Sequence, residues 1–273
     1  MRSHPGIGFA SDWDGHLLLL HRSEPERQAS VAAWVNRGLE RGDKVYYTEL
    51  PEPKVEVSLL PTLAKHGVDV GKFPDGQLSI LPVQDFYPRS GQVDLVMRAL
   101  DEGYTSVRLS AEADAPLSYV SPRRHRDIEE TMDDLCRELP VSAMCQYDAH
   151  TTIGSRLVEA VTTHPVAVRA SEMMMRRRRD VLTLSGELDL TNSELLRFAL
   201  GQATDGRSDL TSFSIILADL SFLDIAGCRA LLLGTERFRR SGGQLYLEAA
   251  PRHVTRVLRA LGVTRQVRVS LGE

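Results

Sequence analysis

Residues 16–48 have the sequence HLLLLHRSEPERQASVAAWVNRGLERGDKVYYT. The run 16–21 (HLLLLH) predicts a buried strand. Residues 24–41 carry apolar side chains at helical spacing, and Gly42 follows them as the glycine that commonly ends a helix. Lys44–Thr48 (KVYYT) is rich in β-branched and aromatic residues and predicts a second strand. The segment therefore predicts a β-α-β unit with parallel strands.

The alternation of strands and helices continues along the first 170 residues. Short apolar runs alternate with longer segments whose apolar side chains lie three or four residues apart. Strict alternation predicts an α/β fold in which helices cover both faces of a mainly parallel sheet. Further strands are predicted at Leu78–Pro82, Ser106–Leu109 and Val141–Tyr147, and further helices at Lys54–His66, Asp94–Gly103, Arg126–Leu139 and 155–163.

A second, smaller α/β domain is predicted over residues 180–273. Residues 171–179 (SEMMMRRRR) follow neither the strand period nor the helix period, so we expect a linker there, after a first domain over residues 1–170. The three methionines of this segment either line a partner surface or pack within the linker. In the second domain, strands are predicted at Val181–Ser185, Ser214–Asp219, Gln244–Glu248 and Val267–Ser270, a turn at Gly186–Asp189, and helices at Ser193–Gln202, Ile225–Arg240 and Pro251–Leu261.

The composition is that of a globular protein. The chain has 273 residues, of which 42% are hydrophobic and 26% charged, which is enough for two domains. No apolar run approaches the roughly 20 residues of a membrane helix, and the first residues have no signal-peptide core. Cys136, Cys145 and Cys228 form no CxxC motif, and the histidines lack metal-ligand spacing. We therefore expect a soluble cytoplasmic protein with no disulfide framework, no metal and no membrane partner.

Charge is distributed unevenly between the two predicted domains. The whole chain has a net charge of -4, but residues 171–273 carry an excess of arginine that includes the run Arg176-Arg177-Arg178-Arg179. The acidic first domain argues against a nucleic-acid-binding surface there. The arginine run either contacts phosphate or is simply solvated. We expect no nucleic-acid partner.

The motifs of the common enzyme classes are absent from the sequence. Residues 67–73 (GVDVGKF) have three residues between the glycines where a P-loop has four, and they end in phenylalanine instead of serine or threonine. The loop at 21–26 (HRSEPE) has no glycine to wrap a phosphate, and its two glutamates would repel one. The acidic pairs at 129–130 and 133–134 are interpreted as the solvated face of a helix. We expect no nucleotide hydrolysis, no cofactor and no catalytic residues.

Polar and aromatic side chains gather at the predicted carboxyl ends of the strands. Ligands of open parallel sheets bind at this edge. Chains also leave the core there, so a real pocket and an ordinary polar edge both remain open. The residues are His21, Thr48, Glu49, Gln84, Asp85, Phe86, Tyr87, Ser110, Glu112, Cys145, Gln146, Tyr147 and Asp148.

Six short stretches of the first domain match a known family in order and spacing: 15–17 (GHL), 45–47 (VYY), 84–87 (QDFY), 103–108 (GYTSVR), 145–148 (CQYD) and 164–165 (HP). On these stretches the first domain resembles the MEDS family, a sensory domain named after methanogens, methylotrophs and a dichloromethane-responsive repressor. The resemblance implies a RecA-like fold without a working P-loop, which senses small molecules for attached regulatory domains. Carried over by position, it implies pocket residues at His16, Tyr87, Arg108, Cys145 and Tyr147.

Three stretches of the second domain also match a known family: 184–189 (LSGELD), 219–227 (DLSFLDIAG) and 242–245 (GGQL). On these stretches the second domain resembles STAS domains of the anti-sigma-factor-antagonist type. The resemblance implies a partner that is an anti-sigma-factor-type ATPase and kinase, or a related signalling protein, which docks at Asp224, Ile225, Ala226 and Gly227. In that family a serine or threonine in this loop is phosphorylated, and the added charge breaks the complex. Here isoleucine and alanine stand at those positions, so we expect this switch to be missing.

Together these features favour a non-enzymatic signalling regulator. A RecA-like sensory domain with a mainly parallel sheet would precede a smaller STAS-type α/β domain that docks a partner in transcription regulation. The candidate ligand-binding residues are His16, His21, Tyr87, Arg108, Glu112, Cys145 and Tyr147. The alternatives are a RecA-like enzyme with unconventional nucleotide or redox chemistry centred on Cys145, and a degenerate scaffold used only for assembly.

Overall fold

The computed structural model describes residues 14–49, 57–87, 91–112, 121–164, 166–170 and 172–272. The chain divides into two compact units, Met1–Thr152 and Ile153–Glu273. This division lies before the boundary at residue 170 that the sequence predicted. Within the described residues, no helix combines the length and apolar character needed to cross a membrane.

The first unit contains five strands that pair parallel to one another. The strand order is β1-β5-β4-β2-β3. A parallel sheet needs a crossover between successive strands, and the helices provide these crossovers. The strands are β1 (His16–His21), β2 (Lys44–Glu49), β3 (Leu78–Pro82), β4 (Val107–Glu112) and β5 (Val141–Asp148). The α/β class and the mainly parallel sheet are thereby confirmed.

Helices cover both faces of this sheet. The helices are α1 (Glu24–Arg41), α2 (Leu59–Lys65), α3 (Val83–Phe86), α4 (Gly91–Asp101) and α5 (Pro122–Glu138). Helices α4 and α5 pack on the face that carries Leu109 and Ala143, and α1 lies on the opposite face, where its Trp34 stacks with Arg108 of β4. The predicted helix at 54–66 begins only at residue 59, and its residues 54–56 lie outside the described residues.

The second unit has a six-stranded mixed sheet with the order β6-β7-β8-β9-β10-β11. Strands β6, β7 and β8 pair antiparallel, and the pairings from β8 to β11 are parallel. The strands are β6 (Ala167–Ala170), β7 (Met173–Arg178), β8 (Val181–Leu188), β9 (Ser212–Leu223), β10 (Gln244–Ala250) and β11 (Arg268–Leu271). The helices are α6 (Ser155–Thr163), α7 (Ser193–Thr204), α8 (Ile225–Gly234), α9 (Glu236–Arg240) and α10 (Arg252–Ala260).

Three sequence-based expectations about this unit were wrong. The linker expected at 171–179 contains β7, whose residues 173–176 are all buried, so the arginine run is not uniformly solvated. The turn expected at 186–189 lies largely within β8, because Gly186 adopts a φ of 82° and lets the strand continue through a register shift. The helix expected at 225–240 is interrupted at the buried Thr235, which separates α8 from α9.

Candidate ligand-binding cluster and docking surface

Strands β1 and β5 place three predicted site residues on the α5 face of the first sheet. In their parallel register His16 lies opposite Ala143, and Leu18 lies opposite Cys145. Because side chains alternate along a strand, Cys145 and Tyr147 point to one face and Gln146 to the other. His16, Cys145 and Tyr147 are all buried. Three of the residues implied by the family resemblance are therefore brought together.

Helix α5 adds three titratable side chains from above this face. His125, Glu129 and Asp133 are spaced four residues apart and so lie along one side of the helix. Glu129 and His125 are buried, and the Asp133 side chain is 26% exposed. The expectation that the acidic pair at 129–130 is a solvated face was therefore wrong for Glu129. The signal was present in the sequence, because Glu129 lies beside Ile128 and Met132 on the apolar stripe of α5.

Glu129 is at the centre of what we call the His16 cluster: His16, His125, Glu129, Asp133, Cys145 and Tyr147. The Cys145 thiol donates to Glu129 Oε2 at 3.3 Å, and the same oxygen lies 3.2 Å from His16 Nε2. The other carboxylate oxygen, Oε1, accepts a hydrogen bond from the Tyr147 hydroxyl at 3.0 Å and lies 3.4 Å from His125 Nε2. His16 Nδ1 faces Asp133 Oδ1 at 3.6 Å. The two oxygens of Glu129 thus serve different partners.

The electrostatics of the His16 cluster disfavour a thiolate. Burial, and then the Glu129 carboxylate, raise the pKa of Cys145 well above its usual range. Burial and Glu129 also raise the pKa of Tyr147 well above its usual range. Burial opposes protonation of His16, but the nearby carboxylates of Asp133 and Glu129 outweigh it and raise the pKa of His16. His16 Nε2 lies 3.5 Å from Cys145 Sγ, so the structure places beside the thiol a histidine that the sequence had not identified as its partner. The thiol itself stays protonated, and a protonated thiol is a poor nucleophile.

Tyr87 lies close enough to the His16 cluster to interact with it electrostatically. Burial, followed by the charges of Cys145, Glu129 and Glu112, raises its pKa well above the usual range. Its ring makes an edge-to-face contact with Phe86, with centroids 5.1 Å apart, and packs against the hydrophobic core between the sheet and α4 and α5. Tyr87 therefore lies near the His16 cluster and packs in the core, and its role in ligand binding stays a prediction.

His21 and Glu112 lie instead on the α1 face, around Arg27. Arg27 Nη1 lies 3.2 Å from Glu112 Oε1 and donates at 3.0 Å to the Tyr47 hydroxyl. The pKa of the half-buried His21 is lowered by burial and then by the Arg27 charge. Sequence reasoning missed Arg27, although it stands three residues after Glu24 in the first turns of α1 and pairs with it. The predicted pocket residues are thus divided between two faces of the sheet.

Arg108 belongs to a third, separate group of residues and not to the pocket that the resemblance implied. It is 1% exposed, and its Nε donates to Asp43 Oδ2 at 2.7 Å and its Nη2 to Asp14 Oδ1 at 2.5 Å. The guanidinium stacks on Trp34 at 4.9 Å from the ring centroid. A Cβ added at Gly38 would lie 2.4 Å from Arg108 Cδ, so the helix approaches it closely. These contacts give Arg108 a structural role.

In the second unit, the loop at 224–227 combines structural and exposed residues. Asp224 caps α8, because its Oδ1 accepts from the Gly227 amide at 2.8 Å, and its Oδ2 accepts from the Leu190 amide at 3.2 Å. Gly227 is buried, and an added Cβ would lie 2.6 Å from Leu188 Cγ. Ile225, by contrast, is 61% exposed.

Ile225 is part of what we call the Leu190–Leu233 surface. It consists of Leu190, Ile225, Ala226 and Leu233, which line a shallow cavity of ≈ 480 Å³ with Glu194, Arg197 and Arg229 among its other lining residues. Leu190 and Leu233 are 76% and 55% exposed. Exposed apolar side chains grouped within a charged surround are typical of a protein-binding surface. Of the four predicted docking residues, Asp224, Ile225 and Ala226 line this cavity. Asp224, as the helix cap, and the buried Gly227 also hold the loop in shape.

Comparison with known proteins agrees with both sequence resemblances. The family model of the MEDS domain (MEthanogen/methylotroph, DcmR Sensory domain) matches residues 15–165, and a STAS model described as "Mlab, STAS domain" matches residues 173–271. No curated protein matches the chain.

Similar solved structures include two that cover about a third of the chain. A protein assigned as an anti-sigma factor antagonist from Thermotoga maritima has 21% identity and a TM-score of 0.30, over 35% of this chain and 82% of that one. The Bacillus cell-fate determinant SpoIIAA in its phosphorylated form has 19% identity and a TM-score of 0.29, over 36% and 90% of the two chains. A KaiC-like protein from Pyrococcus horikoshii has 14% identity and a TM-score of 0.44, over 68% and 88%.

Proposed function

Since the chain belongs to the MEDS family over residues 15–165 and continues with a STAS domain over 173–271, we propose that it is a non-enzymatic, cytoplasmic signalling regulator. The first unit detects a small molecule at the His16 cluster. The second unit docks an anti-sigma-factor-type ATPase or a related signalling protein. Family membership supports the sensory role, and the Leu190–Leu233 surface supports the docking role.

The exposure of Ile225 is the observation that carries the docking proposal. Ile225 is 61% exposed at the start of a helix. A partner that covers it stabilises the complex, because burying apolar surface is worth about 25 cal/mol per Å². Leu190 and Leu233 extend the apolar area, and Arg197 and Arg229 at the cavity offer contacts to an acidic partner. A medium-sized apolar centre with a charged rim fits a protein partner.

Control of this docking is proposed to come from the first unit. Isoleucine and alanine at 225 and 226 cannot accept phosphate, so a kinase cannot place a dianion at these two positions. A ligand of the His16 cluster would regulate docking if it bound one arrangement of the protein more tightly than another. The regulation would then depend on ligand concentration and not on kinase activity.

The docking proposal is tested by affinity capture from host lysate with the full chain, followed by mass spectrometry. Wild type is expected to recover an ATPase of the anti-sigma type, and Ile225→Glu is expected to lose it because a carboxylate replaces the apolar contact. Leu271→Glu is the matched control, since Leu271 is 58% exposed in the same unit but lies on β11. Recovery that is equal for wild type and Ile225→Glu, or no such ATPase from wild type, would refute docking at this surface.

A further inference from the structure

Three side chains of the His16 cluster direct one donor atom each towards a common point. His16 Nε2, Glu129 Oε2 and Cys145 Sγ are separated by 3.2 Å, 3.3 Å and 3.5 Å in the pairs nitrogen–oxygen, sulfur–oxygen and sulfur–nitrogen. All three residues are buried and belong to the first unit. A nitrogen, an oxygen and a sulfur donor are each established ligands of zinc in proteins.

These separations are close to those of a tetrahedral zinc site. Zinc binds cysteine sulfur at about 2.3 Å and histidine nitrogen or carboxylate oxygen at about 2.0–2.2 Å. At tetrahedral angles, a nitrogen and an oxygen then lie about 3.3–3.5 Å apart, and sulfur lies about 3.5–3.7 Å from either. The distances in the cluster differ from these values by a few tenths of an ångström at most. An ion would enter with only small movements of the side chains.

The surrounding residues already hold the ligands in the orientation that a metal site requires. Asp133 faces the second nitrogen of His16, an arrangement found around most zinc-bound histidines, where the carboxylate fixes the ring and its tautomer. Tyr147 donates to Glu129 Oε1 and thereby leaves Oε2 directed at His16 and Cys145. The outer contacts thus select the same three donor atoms that lie close together.

Charge balance also favours a dication. A zinc ion with one thiolate, one carboxylate and a neutral imidazole has no net charge, which lowers the cost of placing it in a buried site. We propose that His16, Glu129 and Cys145 bind a Zn²⁺ ion and supply three of its ligands. This zinc ion would occupy the same cluster that the proposed function assigns to ligand sensing. Zinc binding itself does not depend on that function, and only the idea that the bound ion takes part in sensing rests on it. Metal binding and partner recovery are separate measurements, so either can fail alone.

Titration of the metal-free full chain with Co²⁺ tests the proposal. Cobalt replaces zinc in tetrahedral sites, and a thiolate ligand gives an intense thiolate-to-cobalt absorption band. Wild type is expected to bind one Co²⁺ per chain with this band and to lose the band when Zn²⁺ is added. The variant Cys145→Ser is expected to lack the band. Asp133→Asn is expected to keep the band and to bind Co²⁺ about 10–100-fold more weakly, because Asp133 positions His16 without ligating the ion.

Cys136→Ser is the matched control for Cys145→Ser. Cys136 is buried in the same unit, and its variant is expected to titrate like wild type. Absence of the band in wild type would overturn the proposal, as would a band that persists in Cys145→Ser. Glu129→Gln, which preserves side-chain size, supplies a second variant in case Cys145→Ser does not fold. It is expected to bind Co²⁺ at least about tenfold more weakly, and unchanged affinity would equally overturn the proposal.

Discussion

Replacing Arg108 with methionine is expected to destabilise the protein much more than replacing Arg41, although both arginines pair with Asp14. Arg108 is 1% exposed and bridges Asp14 and Asp43, whereas the Arg41 side chain is 39% exposed and pairs with Asp14 Oδ2 at 2.8 Å. Methionine keeps most of the apolar length of the side chain. The comparison therefore isolates the buried guanidinium.

The magnitude follows from the burial of the two carboxylates. Removing one partner of a buried ion pair leaves an uncompensated charge and typically costs about 3–5 kcal/mol. Asp43, itself buried, would lose its arginine, and Asp14 would lose one of the two arginines that pair with it. A partly exposed pair such as Arg41–Asp14 is worth roughly 0–1 kcal/mol. Arg108→Met should therefore cost at least about 2 kcal/mol more than Arg41→Met.

Urea unfolding of the full chain, followed by tryptophan fluorescence and circular dichroism, measures this difference. Trp34 stacks beneath Arg108 and reports on the first unit. Adding Asp43→Asn to Arg108→Met should recover part of the loss, because the unpaired carboxylate is neutralised. If Arg108→Met lowered the free energy of unfolding no more than Arg41→Met did, the structural role of Arg108 would be refuted. The ligand-binding role that the family resemblance implies for Arg108 would then be the better explanation.

Three further outcomes are expected. Asp224→Ala should lower the unfolding free energy by about 0.5–2 kcal/mol through loss of the helix cap. Asp224→Asn retains a hydrogen-bond acceptor and should lower it less. If thermal unfolding showed the same loss of stability for both variants, the capping role would be contradicted. Gly186→Ala should destabilise the protein more than Gly206→Ala. Both glycines have φ above 70°, but a Cβ at Gly186 would lie 1.7 Å from a carbonyl oxygen, whereas a Cβ at Gly206 would meet open space. Similar shifts of the thermal unfolding temperature for the two variants would argue against the close approach at Gly186. Because burial lowers the pKa of His21 in the folded state, the unfolded state binds that proton more tightly, and the stability that His21 contributes should fall as pH falls through about 6.5. The variant His21→Gln should therefore lose less stability than wild type over this range, and an unchanged pH profile would show that His21 makes no such contribution.

Local sequence signals were sufficient for much of the fold. The strand at 16–21 and the helices at 24–41 and 155–163 have the bounds that the sequence predicted. Apolar periodicity, caps and terminal glycines act over a few residues, so they are visible without any tertiary information. The order of the two domains was also evident, because their family motifs are contiguous stretches.

Strand β7 shows where this local information was insufficient. A strand buried along consecutive residues, such as 173–176, has no alternation of polar and apolar side chains. The four consecutive arginines at 176–179, of which the first three belong to β7, made the segment look like a solvated linker. Pairing with β6 and β8, its neighbours in the sequence, supplies the hydrogen bonds that hold this segment as a strand, and the polar–apolar pattern of the segment itself does not reveal that pairing.

The candidate site depended even more on tertiary structure. Its residue types were visible in the sequence, but His16 and Cys145 are 129 residues apart and meet only because β1 and β5 are neighbours in register. The same register sends His21 and Arg108 away from them, because alternate residues of a strand face opposite sides of the sheet. Glu129 joined the site because α5 turns its inner side towards β5. Chain periodicity thus determines which elements form, whereas strand pairing and helix orientation determine which side chains meet.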